Sequence, residues 1–344
     1  MSKTILFALM IAPVVLASTA VNDFGFDVLR ELRTGMPTEN VVFSPFSISS
    51  AFSLLYFGAK GDTRAEIEEA FGFQNGNVPR SLLETAKNFE ENANPSGPTV
   101  DIANRAYIDD GFRVLDSYET AVGKDAFRVV DFADETASRD EINDFVDMVT
   151  QGLIKDLIPM GFITPATQAV LVNAIYFKAT WAKVFNKEDT SKSEFRGPGG
   201  SSETDFMSIR DETFPSKNVP QLDGRILQLP YEGDRFSMFI LLPNTDDGFA
   251  NAEVGLTSKL DLFENLTPTK FSEVKIPKWE LEQSVETLKK YLMNLGVRIV
   301  FTEQADLSGL SDVDSLAVSD VVHKAKIIVD EQVGENQTNQ MLMG

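Results

Sequence analysis

Ala169-Val170-Leu171-Val172-Asn173-Ala174-Ile175-Tyr176-Phe177 is apolar almost without a break. A strand with one wet face alternates apolar and polar side chains, whereas an unbroken run belongs to a sheet covered on both faces. Within it Asn173 is the lone amide. From Val318 onward the pattern changes to alternation: Val321, His323, Ala325, Ile327 and Val329 share one side, and Val322, Lys324, Lys326, Ile328 and Asp330 the other. His323 therefore sits on the apolar side of its strand, and it is the single histidine of the chain. Phe236 to Leu242 is another apolar run, expected to pair with Arg225 to Leu229 around the turn Glu232-Gly233-Asp234.

Upstream the period changes to that of helices. Phe24, Val28 and Leu32 recur at helical spacing, and Gly35 is placed to end that helix. Ser44-Pro45 reads as a cap followed by proline in the first turn. Phe46 to Phe57 behind it is apolar on nearly every side, so it predicts a helix buried all round. Thr63 and Glu66 have capping-box spacing ahead of Ile67, Ala70 and Phe71. Ile142, Phe145, Val146 and Val149 form an amphipathic stripe lying on something apolar. Leu288, Leu292 and Leu295 mark a further helix closed by Gly296. Residues 86–98 and 196–202 read as surface loops. Helices dominate early and strands late, without repeats or a linker between cores, which predicts an α+β domain.

Charge and residue chemistry exclude several function classes. The 344 residues carry 52 acidic against 31 basic side chains, a net −21. Such a surface repels phosphate backbones and anionic lipid, so neither nucleic acid nor a membrane is an expected partner. There is no cysteine, hence no disulfide and no thiolate nucleophile or metal ligand. One histidine excludes multi-histidine metal sites, and Asp312-Val313-Asp314 reads as an acidic surface turn rather than a calcium loop. A Ser-His-Asp triad would have to use His323, whose strand-face position is a poor one for a mobile base. No catalytic residue, cofactor or metal is expected. Met1 to Ala20 reads as a secretory signal: Lys3, the apolar run Ile5 to Leu16, then Ser18-Thr19-Ala20 at cleavage spacing. A secreted, extracellular monomer is therefore expected, with glycosylation sequons at Asn265 and Asn336.

Six short motifs, in order along nearly the whole chain after residue 20, make the sequence recognisable. The first is Asn40-Val41-Val42-Phe43-Ser44-Pro45-Phe46-Ser47-Ile48-Ser49-Ser50-Ala51, continued by Gly58-Ala59-Lys60-Gly61-Asp62-Thr63. Leu171 to Lys178 with Trp181 and Phe185 is the second. Leu229-Pro230-Tyr231 with Met238 to Pro243, Ile276-Pro277-Lys278, Ala305-Asp306-Leu307-Ser308-Gly309 and His323-Lys324-Ala325 complete the set. Together they resemble the serpin family of serine protease inhibitors. The resemblance implies three β-sheets with about eight or nine helices in an α+β fold. It also implies a mechanism in which a serine-type protease cuts an exposed loop, the loop inserts as a new strand into the largest sheet, and the protease is carried along as a distorted acyl-enzyme. Ser47, Ser50, Asn173 and His323 match the cluster at which that sheet opens. Read as residues alone, the four are better taken as a satisfied core polar network, since buried polar groups need partners; the resemblance reverses that preference.

The pattern departs from the family after Val329. Residues 21–329 resemble a serpin domain, whereas 330–344 read as a divergent tail in place of hinge and reactive loop, with the C-terminal strands missing. Glu331 and Gly334 faintly resemble the hinge, with one residue too many between them. The tail lacks the small side chains that an inserting strand needs. A protein that binds a serine-type protease only in a full-length form is expected, with a non-inhibitory carrier or decoy isoform as the alternative.

Overall fold

The computed structural model describes residues 19–331, apart from 74–75, 92–98, 198–199, 246–247, 258 and 286–287. The helix α1 (Thr19–Gly35) buries Phe24, Val28 and Leu32, as their spacing requires. The helix α2 (Pro45–Gly58) starts where Ser44 Oγ accepts the Ser47 N–H and Pro45 occupies the first turn. It is buried along nearly its whole length. Each large apolar side chain so buried contributes about 1.5–3 kcal/mol before entropy is counted, so this helix is a core element.

The central sheet has the order β2-β1-β3-β10-β9, formed by β1 (Thr99–Asp109), β2 (Phe127–Val130), β3 (Ala169–Lys178), β9 (Trp279–Val285) and β10 (Asp320–Val329). β3 lies in the middle, antiparallel to β1 and parallel to β10. Its two faces are covered by different layers, which is why its sequence does not alternate. Leu171 on one face packs in the core around α2, and Val170, Val172 and Ala174 on the other pack under α6 (Glu135–Val149), with Ile142 and Val146. β10 keeps the expected alternation, with Lys324 and Lys326 less buried than Ala325 and Ile327.

In place of the expected three sheets, the described residues form two, because one long strand joins all the remaining strands into a single second sheet. β5 (Gly200–Val219) pairs in succession with β4 (Ser191–Gly197), with β8 (Thr267–Pro277) and, at its end, with β6 (Gly224–Pro230). β6 in turn pairs with β7 (Ser237–Pro243), the hairpin expected around Glu232-Gly233-Asp234. Eight α-helices occur among the described residues, including α3 (Gly61–Phe71), α4 (Asn77–Glu91), α5 (Asp116–Val122), α7 (Phe249–Val254) and α8 (Leu288–Asn294).

Three local expectations are corrected. Thr63 and Glu66 do not form a capping box, because α3 begins earlier, behind Lys60. Their side chains serve distant donors instead: Thr63 Oγ1 accepts from Asp306 N–H at 2.9 Å, and Glu66 Oε2 accepts from Arg298 and Ile299 N–H, each at 2.7 Å. Residues 86–91 are helical, because Leu82, Ala86 and Phe89 carry an apolar face of α4 into the core; 92–98 lie outside the described residues. Residues 196–197 and 200–202 belong to the paired strands β4 and β5, with backbone pairing reaching Gly197 and Gly200. Gly309 is required by contact: its N–H donates to Gly58 carbonyl at 2.9 Å, and a Cβ there would lie 2.8 Å from that oxygen. Residues 1–18 and 332–344, which carry most of the signal, all of the Asn336 sequon and Gly334, lie outside the described residues.

Candidate functional site

The N-terminus of α2 rests on the central sheet over the junction of β3 and β10. Register places Asn104 of β1 opposite Asn173 of β3, and Asn173 opposite His323 of β10. Three strands thus aim one polar side chain each at the first turn of α2. Ser47 and His323 are fully buried there, as is Asn173.

The groups satisfy one another. Ser47 Oγ donates to Asn173 Oδ1 at 2.9 Å, and His323 Nδ1–H donates to the same oxygen. Asn173 Nδ2 donates to Asn104 Oδ1, and Asn104 Nδ2 donates to the Ser47 carbonyl at 3.4 Å. His323 Nε2 accepts the Ser44 N–H at 3.2 Å. An amide oxygen on one ring nitrogen and a backbone N–H on the other fix the neutral Nδ1–H tautomer. Burial pushes the His323 pKa down from 6.5 to about 3, since a charged ring would lose its hydration. The Nδ1 partner is an amide, not a carboxylate, so the arrangement is not that of a triad. These bonds join β3 to β10 directly, between Asn173 and His323, and also by way of Ser44 and Ser47 at the start of α2, and any separation of the two strands must break some of them.

Ser50 does not join. It is fully buried, yet its Oγ has no partner among the described residues. Asn173 Oδ1 already receives two donors and has no further lone pair to offer. Asn104 takes the fourth place in the cluster. Its signal in the sequence was present: a half-buried amide between Ile102 and Ala106 on the apolar side of β1.

The far end of the same strand pair forms a second polar contact. Trp181, stacked on Tyr231 with ring centroids 4.6 Å apart, donates its indole N–H to the Asp330 carbonyl at 2.9 Å. Glu331 is buried, with Lys278 Nζ at 2.6 Å and Thr190 Oγ1 donating at 2.5 Å. Burial alone would raise the Glu331 pKa; the ammonium and hydroxyl outweigh it and hold the carboxyl below its usual range. The chain leaving β10 is thus gripped at its first two residues. Elsewhere, Asp312 of the acidic turn faces Arg113 at 3.5 Å, and exposed Asn265 donates to Asp261. Among the described residues no helix is long and apolar enough to cross a membrane.

Comparison with known proteins agrees with this architecture. The family described as Serpin (serine protease inhibitor) matches residues 19–343. Leukocyte elastase inhibitor A of Mus musculus is 34% identical over 92% of this chain and 86% of its own length. Intracellular coagulation inhibitor 2 of Tachypleus tridentatus is 32% identical over 92% of this chain and 79% of its own. A crystal structure of maspin superimposes with a TM-score of 0.85 at 27% identity, covering 92% of this chain and 87% of that one. The expectation of a secreted, extracellular protein is overturned by these relatives, which include leukocyte elastase inhibitors and one inhibitor intracellular by name. An apolar run such as Ile5 to Leu16 has the hydropathy of an export signal, but hydropathy alone does not specify export. The glycan expectation at Asn265 and Asn336 rested on the same premise.

Proposed function

The chain belongs to the serpin family, and from that premise we propose that it carries an inhibitory scaffold directed at a serine-type endopeptidase and worked by opening the seam between β3 and β10. The observation that carries this reading is the direct parallel pairing of the two strands, from Val170 with Asp320 to Tyr176 with Lys326. A strand entering there would exchange one ladder for two, and the polypeptide leaving β10 at Asp330 is the segment in position to supply it. The cluster of Ser47, Asn104, Asn173 and His323 is the latch that such entry must release.

For the sequence as it stands, the finer reading is binding without trapping, a decoy or carrier role. β10, which lines the seam, buries Ala325 and Ile327 more deeply than Lys324 and Lys326, so an inserted strand must bury at least alternate side chains. After Gly334 this chain offers Glu335-Asn336-Gln337-Thr338-Asn339-Gln340. Each amide buried without a partner costs about 1–3 kcal/mol, which works against insertion. The polypeptide 1–344, incubated with trypsin-, chymotrypsin- and elastase-like proteases, is expected to give no band at the summed mass on a denaturing gel. Replacing everything after Glu331 by the segment that follows the same strand in mouse leukocyte elastase inhibitor A is expected to produce that band. A band from the unaltered polypeptide overturns the decoy reading. Failure of the chimera with every protease overturns the inhibitory scaffold.

A further inference from the structure

Residues 42–47 lie across the seam, and their bonds are divided between its two sides. Ser47 holds the β1–β3 side through Asn173 and Asn104. On the other side the donors are backbone amides. Ser44 N–H donates to His323 on β10, and Val42 N–H donates to Gln283 Oε1 on β9 at 2.5 Å. Amides two residues apart in an extended segment point the same way, so the two donors address one side together. Their acceptors are matched in turn: Gln283 stands opposite Ala325, two residues along from His323 and on the same face. Asn104, Asn173, His323 and Gln283 therefore make a polar row across four neighbouring strands, β1-β3-β10-β9, on a face that is otherwise mainly apolar. The Gln283 amide is oriented, because its Nε2 donates to Met36 Sδ at 3.2 Å and leaves the oxygen towards Val42.

The Val42 amide is half-buried and needs an acceptor, which water or a carbonyl could equally supply. What matters is where this acceptor is mounted. β9 is paired with β10 from Trp279–Val329 to Val285–His323, so Gln283 belongs to the β10 side of the seam. We propose that Gln283 is a positioning residue for seam opening: it ties residues 42–44 to the β9–β10 side, keeps the Ser44 amide on His323, and so resists separation of β3 from β10. This rests on the seam reading above.

The test follows annealing of a blocked synthetic peptide of alternating threonine and alanine to the full chain, by native-gel shift, well below the melting temperature. Gln283→Leu removes the acceptor, and annealing should accelerate about fivefold, the equivalent of one neutral hydrogen bond. Gln283→Glu keeps an oxygen for Val42 and should anneal at the rate of the unaltered protein, even if the lost thioether contact lowers its melting temperature. A purely structural role predicts that both variants melt earlier with no difference in annealing between them, and that result overturns the proposal. No annealing by the unaltered chain rejects the seam reading and this assignment with it. Should Gln283→Leu not fold, hydrogen exchange decides: the Val42 amide must be protected in the unaltered protein and remain so in Gln283→Glu, and rapid exchange in either refutes the assignment.

Discussion

Acid should loosen this protein through His323, by an amount that its burial sets. The ring is fully buried and neutral, donating to Asn173 and accepting from Ser44. Loss of hydration lowers its pKa from 6.5 to about 3. The unfolded chain therefore takes up the proton first. Above pH 6.5 neither state is protonated and the full stability is present. As the pH falls below that value, the unfolded state gains a proton that the folded state refuses, and stability drops by ~1.4 kcal/mol per pH unit. Between about pH 7 and about pH 5 this one group should remove ~2 kcal/mol, a large share of the stability of an ordinary domain. Glu212 and Glu273 also have lowered pKa values, but their effect begins only as the pH falls through the ordinary carboxylate value of 4.5, and water screens them at the surface. The informative quantity is therefore a difference between two proteins. His323→Gln cannot titrate, and it should begin about 1–3 kcal/mol less stable because the Ser44 and Asn173 bonds are disturbed. Urea unfolding of both proteins across this range should show the gap closing by ~2 kcal/mol as the pH falls. A gap that stays constant would refute the burial and tautomer assigned to His323.

Other perturbations separate the members of the site. Asn104→Ala should cost about 1–3 kcal/mol in chemical denaturation, since it strands Asn173 Nδ2 and the Ser47 carbonyl. Ser47→Ala should likewise destabilise, whereas Ser50→Ala should leave the melting temperature unchanged or raise it, because its hydroxyl is buried without a partner. Equal losses at the two serines would contradict the geometry. Lys278→Met leaves the buried Glu331 carboxylate without its ammonium partner, and a loss of about 3 kcal/mol is expected. The double change Lys278→Met with Glu331→Gln should recover much of it, and no recovery would show that the pair is not coupled.

The layers of this fold follow from local chemistry, and the sequence alone carries that. An unbroken apolar run at Ala169 to Phe177 can be buried only from both sides. An apolar helix from Phe46 to Phe57 must be central, and the alternation after Val318 marks a strand with unlike faces. The same patterns single out Asn173 and His323, because a polar residue on an apolar face is visible as an exception. Hydrogen-bond partners are another matter. Thr63 and Glu66 had the spacing to cap their own helix, yet amides more than 200 residues away in the chain occupy them. Ser47 and Ser50 look equivalent at one helical turn apart, but Asn173 has room for only one of them beside His323. Asn104 and Gln283 enter the polar row through strand register, which sets Asn104 opposite Asn173 and Gln283 opposite Ala325 and is settled by the packing of whole faces. Periodicity reports which way a side chain points; only the assembled sheet decides what it meets there, because a hydrogen bond is made or lost over a few tenths of an ångström.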